Sequence, residues 1–190
     1  MSRLINEPGA VNGIGFALFD TAIGPCGIAW GARGLVGVQL PEADEAATRR
    51  RMKGRFPLLP ELPPPAEVQQ AMAAIRALLD GEPRDLMEIV LDVEHVSEFH
   101  RQVYAIARRI PPGQVRTYGE IALELGDKGL SRAVGQALGL NPFAAVVPCH
   151  RVLAAGSKFG GFSAHGGAAS KIRMLAIEGA RRDSESGSLF

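Results

Sequence analysis

Short apolar runs separated by glycine-containing breaks fill the first forty residues. The runs are residues 16–19, 27–30 and 34–40, and the breaks are Gly24-Pro25 and residues 31–34. This pattern is typical of antiparallel strands joined by hairpins. Cys26 lies between two predicted strands, so we expect it to pack in the core rather than to perform chemistry.

A helical pattern begins after residue 41. Residues 42–55 are polar and predict a helix, and we interpret its basic cluster Arg49-Arg50-Arg51 as a solvated face. Residues 57–65 contain five prolines and predict an irregular linker. A second helix is predicted from Ala66 to Gly81. Its apolar face comprises Val68, Met72, Ile75 and Leu79.

The second half of the chain is predicted to be mainly helical. Ser97 can cap a helix that ends at Pro111, with an apolar face made of Phe99, Val103, Ile106 and Ile110. Thr117 and Glu120 have the spacing of a capping box at the start of the next helix. Ser131 is predicted to cap a third helix and Ser170 a fourth.

The helices after Thr117 and Ser131 are short and joined by a glycine-containing turn, which predicts a helix-turn-helix. The second of them is rich in small residues, namely Ala133, Gly135, Ala137 and Gly139, and Arg132 is its one charged side chain. Close packing on a neighbouring helix would explain this composition. A helix laid against the B-DNA minor groove, which is about 6 Å wide, would explain it too, with Arg132 projecting from its start.

Composition and charge narrow the class of protein. Hydrophobic residues make up 46% of the 190 positions, as in an ordinary globular protein, and no apolar run predicts a membrane span or a signal peptide. Two distant cysteines predict neither a disulfide framework nor a metal site, so we expect a reducing, cytoplasmic environment. Residues 1–96 have a net charge of −4 and residues 97–180 of +5. This asymmetry indicates that the second half meets a polyanion, although chance would also explain it.

Cys149 is the candidate nucleophile. It follows the apolar segment 143–148 and precedes His150 and Arg151. A structural, buried cysteine is the alternative, but a buried segment rarely carries two consecutive basic residues. Nearby positive charge is expected to lower the pKa of the thiol. Because neighbours on a strand face opposite ways, His150 can reach the sulfur only across a turn or through a water, and a third group must orient it.

Five ordered motifs carry a family resemblance. Asn141-Pro142 and residues 148–152 resemble the acceptor-site signature of the O6-alkylguanine-DNA alkyltransferases. The other motifs are residues 112–119, residues 131–135, residues 160–163 with Lys171, and Glu178-Gly179. The resemblance is strong over residues 91–180 and weak before them.

The resemblance implies an α/β protein of two domains. An RNase H-like α/β domain would span residues 1–90, and a mainly helical, winged-helix-like domain with the helix-turn-helix would span residues 91–180. The tail, residues 181–190, is predicted to be disordered.

The resemblance also assigns roles to individual residues. Cys149 would accept the alkyl group, His150 would take the thiol proton through a water, Glu178 would orient the imidazole, and Asn141 would hold the turn. DNA and substrate binding would involve Tyr118, Arg132, Ala133, Val152, Gly160 and Ser163. Tyr118 and Arg132 would extrude and replace the target nucleotide. Phe162 stands where the family usually has tyrosine, and residues 164–167 depart from its commonest form.

The implied function is DNA repair by one stoichiometric transfer of an alkyl group from O6-alkylguanine in duplex DNA to Cys149, with O4-alkylthymine as a further candidate substrate. No cofactor and no metal are implied, because the substrate carries the alkyl group. We expect a monomer whose partner is double-stranded DNA and not a membrane. Two rival functions remain: a non-catalytic alkyltransferase-like protein that binds lesions, and a cysteine hydrolase with turnover.

Overall fold

The computed structural model describes residues 13–157 and 168–180 of the chain. Its first part is an antiparallel sheet with the order β1 (Gly13–Thr21), β2 (Gly24–Gly31) and β3 (Gly34–Gln39). Gly24 and Gly34 leave the two hairpins with φ values of 121° and 135°, which side chains with a Cβ rarely adopt. The predicted strands and hairpins are therefore confirmed, except that Cys26 lies within β2 and not between two strands; it is fully buried, as expected of a core residue.

One face of this sheet packs against α1 (Glu45–Arg55), which Asp44 caps through the amide of Ala47. Met52 and Phe56 lie over Gly27 and Gly37, where an added Cβ would come within 2.5 Å and 2.4 Å of their side chains. The two glycines therefore permit the close approach of α1.

The other face of the sheet packs against α2 (Ala66–Leu79) and the rest of the core. The predicted helix is confirmed, with Gly81 just beyond its end at a φ of 101°. The proline-rich linker between the helices is irregular as predicted, except that Glu61 forms an isolated bridge with Phe16 of β1.

Four helices follow in the described part of the second half: α3 (Glu98–Arg108), α4 (Tyr118–Glu124), α5 (Ser131–Gly139) and α6 (Ala168–Ile177). A short parallel pair joins β4 (Arg116–Thr117) to β5 (Val152–Leu153), which brings the start of α4 beside the segment after Cys149. The predicted tail, residues 181–190, lies outside the described residues.

Two of the predicted helix caps are present and two are wrong. Ser97 accepts a hydrogen bond from the His100 amide, and Thr117 forms its capping box with Glu120. Ser131 is instead the first residue of α5, because a 3₁₀ turn capped by Asp127 already leads the chain into helical geometry. Ser170 lies inside α6, which begins two residues earlier.

The sheet and the helices of the second half share one continuous core. β3 connects them directly, since its Leu35 hydrogen-bonds Val90 and Asp92, and the Val38 amide donates to the carbonyl of Pro142 at 2.9 Å. The segment that leads to Cys149 is thereby anchored on the sheet. Within residues 13–157 and 168–180, no helix has both the length and the apolar character needed to cross a bilayer.

Candidate active site

Cys149 opens a 3₁₀ turn at the end of a buried segment, and only 8% of the residue is exposed. The side chain of Asn141 braces the loop before it: Oδ1 accepts from the amide two residues later at 2.8 Å, and Nδ2 donates to the carbonyl of Val147 at 2.9 Å. Within this loop Ala145 has a φ of 68°, which is uncommon for a residue with a Cβ. Asn141 therefore holds the backbone that positions the thiol.

Burial raises the pKa of the Cys149 thiol. A hydrogen bond with Asn141 and the charge of Lys171 act in the opposite direction, but burial outweighs them. The expectation of a lowered pKa was therefore wrong, because the side chains of His150 and Arg151 engage a carboxylate instead. The resting thiol is protonated at neutral pH and needs a base before it can react.

Glu178, one residue after α6, is that carboxylate. Its Oε1 lies 2.7 Å from Nε2 of His150, and Arg151 donates to it twice, from Nε to Oε2 at 2.9 Å and from Nη2 to Oε1 at 2.8 Å. All three side chains are at most 3% exposed. Burial opposes the charge of Glu178, but the contacts with His150 and Arg151 outweigh it and lower the pKa to about 2. The carboxylate is therefore ionised at neutral pH.

These contacts define the protonation state of His150. Burial lowers the pKa of the imidazole more than Glu178 raises it, so the ring is neutral. Because an ionised carboxylate only accepts hydrogen bonds, Nε2 carries the proton and donates it to Glu178. Nδ1 is then the basic nitrogen, and it is buried without a hydrogen-bond partner among the described residues. Nδ1 is the ring atom that can accept a proton.

The position of Arg151 was not foreseen from the sequence, which suggested only a positive charge near the thiol. Arg151 is 1% exposed, and its Nη1 donates to the carbonyl of Ile110 at 2.6 Å. Its guanidinium thus fixes Glu178 against the end of the α3 segment. A glutamate near a helix C-terminus is electrostatically unfavourable, and that was the available signal that Glu178 needs a cationic partner.

Lys171 is the second residue whose position the sequence did not reveal, since it entered only as part of a motif. It is 1% exposed, and its Nζ donates to the carbonyl of Val152 at 2.6 Å. Burial lowers the pKa of Lys171, and the neighbouring Cys149 acts in the opposite direction. The Nζ also lies 5.9 Å from the ring centroid of Tyr118. Lys171 therefore connects the thiol, the β5 backbone and Tyr118.

The residues predicted to contact DNA or substrate differ in their exposure. Val152 of β5 is fully buried. Tyr118 at the start of α4 is half-buried and lies beside Gly135 of α5, so it adjoins the cluster around Cys149. Arg132 is exposed and makes no hydrogen bond, ion pair or ring contact with the described part of the chain. Ala133 is half-buried and follows it on α5. Gly160 and Ser163 lie outside the described residues.

The small residues of α5 differ in their surroundings. Ala137 is buried against α3, where Tyr104 donates its hydroxyl to the Ala137 carbonyl at 2.9 Å. Gly139 is exposed, and an added Cβ would meet nothing within 4 Å. One side of α5 therefore packs closely on α3. Its other side, the open side of α5, is exposed at Gly139.

The fold and the site define a mixed α/β protein built around a buried cysteine, with a neutral histidine held by an ionised glutamate. Comparison with known proteins agrees: the sequence model of "6-O-methylguanine DNA methyltransferase, DNA binding domain" matches residues 98–180. The chain belongs to the methylated-DNA–protein-cysteine methyltransferase family, which confirms the resemblance seen in the sequence.

Individual relatives cover different shares of the chain. The methylated-DNA–protein-cysteine methyltransferase of Mycolicibacterium paratuberculosis is 44% identical over 108 residues, which cover 57% of this chain and 63% of that protein. The protein of the same name from Mycobacterium bovis is 32% identical over 168 residues, covering 88% and 94%. The crystal structure of Mycobacterium tuberculosis OGT in complex with DNA matches at 31% identity with a TM-score of 0.68, covering 87% and 93%.

Proposed function

We propose that the protein repairs duplex DNA by transferring the alkyl group of O6-alkylguanine to Cys149, once per molecule, with O4-alkylthymine as a further candidate substrate. The observation that carries this proposal is the buried thiol beside a neutral His150 whose Nε2 is held by an ionised Glu178. Its relatives are named methylated-DNA–protein-cysteine methyltransferases, a name that describes the transfer of a methyl group between methylated DNA and a protein cysteine.

The reaction follows from the charges in the site. Nδ1 of His150 takes the thiol proton, through a bridging water in the arrangement expected from the sequence, and Glu178 stabilises the imidazolium that forms. The thiolate is stabilised by the hydrogen bond with Asn141 and by the charge of Lys171. The sulfur then forms a bond to the alkyl carbon while the bond from that carbon to O6 breaks, and the electron pair passes to the guanine.

A buried thiol cannot reach a base inside the helical stack, so the target nucleotide must be extruded. We propose that α4 and α5 act as a helix-turn-helix and that the open side of α5, including Ala133, enters the minor groove. Arg132 would fill the space left by the nucleotide, which is supported by its exposed position without a partner among the described residues. Tyr118 would guide the base toward Cys149, with Val152, Gly160 and Ser163 lining its pocket.

We further propose the domain division at residues 1–90 and 91–180, with an RNase H-like first domain and a winged-helix-like second one. A sheet covered by one helix on each face supports the first assignment, and three packed helices with a short strand pair support the second. We also propose that the protein is a cytoplasmic monomer. Two unpaired cysteines support a reducing environment.

Counting the product tests the function against both rivals. Protein in defined amount is incubated with excess duplex that contains O6-methylguanine, and repaired guanine is measured over time. We expect a plateau at one equivalent per protein, because a thioether offers water no carbonyl to attack. Product beyond one equivalent would indicate a turnover enzyme, and tight lesion binding without product would indicate the non-catalytic protein.

A further inference from the structure

The outer side of α1 forms a basic concavity. Arg51 and Arg55 are four positions apart and so are neighbours on one face of the helix, and Arg50 borders the same concavity. The concavity has a volume of about 560 Å³ and is lined by Glu42, Ala47, Arg50, Arg51, Gly54 and Arg55. It belongs to the half of the chain that is acidic overall, so net charge alone does not reveal it.

The three consecutive arginines of α1 differ in their partners. Arg49 is neutralised by two carboxylates, Glu45 at 2.9 Å and Glu61 at 3.0 Å. Arg50 is exposed and has no ion pair or hydrogen bond from its side chain within the described residues. Arg51 has one distant ion pair there, with Glu42 at 3.9 Å. The exposure of Arg50 and Arg51 fits the predicted solvated face, and Arg49 differs from them by its two carboxylate partners.

Arg55 adds positive charge that is not neutralised locally. Its guanidinium donates to the Val38 carbonyl, the Gln39 side-chain oxygen and the Pro142 carbonyl, all of which are uncharged. Burial, and then the charge of Arg51, lower the pKa of Arg55 to about 10. Arg51 and Arg55 repel each other at the concavity, and an anion placed there would relieve this repulsion.

The concavity lies beside the end of α5. Nη2 of Arg55 donates to the carbonyl of Pro142 at 3.0 Å, and Pro142 follows the exposed residues Gly139 and Leu140. Because one helical turn rises about 5.4 Å, Arg51 lies about one turn farther from this contact. The arginines of α1 therefore lie near the segment that follows α5.

Several cationic side chains of the second half are paired with carboxylates or buried. Arg109 and Arg116 share the carboxylate of Glu124. Arg151 and Lys171 are buried in the active site. On α5 the one charged side chain is Arg132. Arg101, Lys128 and Arg173 remain exposed in the described part of this half, so a second basic surface would add phosphate contacts to theirs.

We propose that Arg50 and Arg51 bind the phosphodiester backbone of the same duplex, next to the segment held by α5. This inference rests on the proposed function, because it requires α5 to hold DNA. α1 then contributes affinity without reading sequence, since phosphate contacts carry no base information. The first part of the chain is thus a DNA-contacting surface as well as a support for the second.

The salt dependence of duplex binding tests this inference. The variant Arg50→Gln/Arg51→Gln is compared with the wild type between about 50 and about 200 mM salt, and the slope of log affinity against log salt is measured. Loss of two phosphate contacts should make that slope shallower by about 1.8. Across this range the wild type should then lose about twelvefold more affinity than the variant.

Three comparisons make the outcome decisive. Arg76→Gln/Arg84→Gln removes two charges on the α2 side of the sheet and should leave the slope unchanged. Arg50→Lys/Arg51→Lys keeps both charges and should keep the slope as well. Transfer from free O6-benzylguanine should be the same in every variant.

An unchanged slope in the Gln variant, or an equal change in the Lys variant or in the Arg76/Arg84 control, would overturn the proposed surface. A wild type that neither binds duplex nor transfers the alkyl group would instead refute the proposed function.

Discussion

Replacement of Glu178 by glutamine tests the central charge arrangement of the site. The change keeps the shape of the side chain but removes the negative charge that contacts His150 and Arg151 at 2.7–2.9 Å. In the folded protein the pKa of Glu178 is lowered from 4.5 to about 2. At about 1.4 kcal/mol per pKa unit, this carboxylate contributes about 3 kcal/mol to stability at neutral pH.

The pH at which this contribution is lost follows from the sign of the shift. A carboxylate with a lowered folded-state pKa stabilises the protein above its unfolded-state pKa, and the contribution disappears as the pH falls from 4.5 to about 2. Denaturant titrations should therefore show that the stability difference between the wild type and Glu178→Gln shrinks by about 3 kcal/mol over this window. Glu178→Gln should be less stable by a similar amount at pH 7 and should show a weaker pH dependence.

The same substitution should slow the chemistry. Without Glu178 the imidazolium formed at His150 loses its counter-charge, so transfer from O6-benzylguanine should slow by about 10²-fold or more. Glu124→Gln is the matched control, because that carboxylate pairs with arginines at the surface, and it should cost less than about 1 kcal/mol and leave the rate unchanged. Wild-type stability, pH profile and rate in Glu178→Gln would refute the reasoning.

Two further substitutions test the effect of Lys171 on the pKa of Cys149 and the role of the exposed Arg132. Lys171→Met should raise the pKa of Cys149 further, because it removes a charge that lowers it, and the pH dependence of alkylation by iodoacetamide measures this shift; an unchanged profile would contradict the role of Lys171. Arg132→Ala should slow repair of duplex by about 10²-fold, because unstacking costs a few kcal/mol, while reaction with free O6-benzylguanine stays constant. Equal slowing of both reactions would show that Arg132 is structural.

The secondary structure was predicted well where the signal for it lies in residues close together in the sequence. The apolar runs and glycines of the first forty residues, and the Thr117–Glu120 capping box, involve neighbouring positions and were found correctly. The predicted cap at Ser131 was wrong because the start of α5 depends on the 3₁₀ turn before it, and a serine is equally compatible with the first helical position.

The chemistry of the site was less accessible, because it depends on contacts between distant residues. Glu178 and Arg151 are 27 positions apart, and their mutual burial reverses the usual exposure of charged side chains. Sequence proximity suggested that Arg151 lowers the pKa of Cys149, whereas burial raises it and Arg151 serves Glu178. A pKa depends on how deeply the group is buried and on which charged groups surround it. The order of residues along the chain gives neither quantity directly.

Peptide mass spectrometry after reaction with duplex containing O6-methylguanine tests the central claim most directly. The account predicts a gain of one methylene group on the peptide that contains Cys149, no gain on the peptide that contains Cys26, and no gain at all in Cys149→Ser. A methyl group on another residue, or guanine repair without any gain in protein mass, would contradict it.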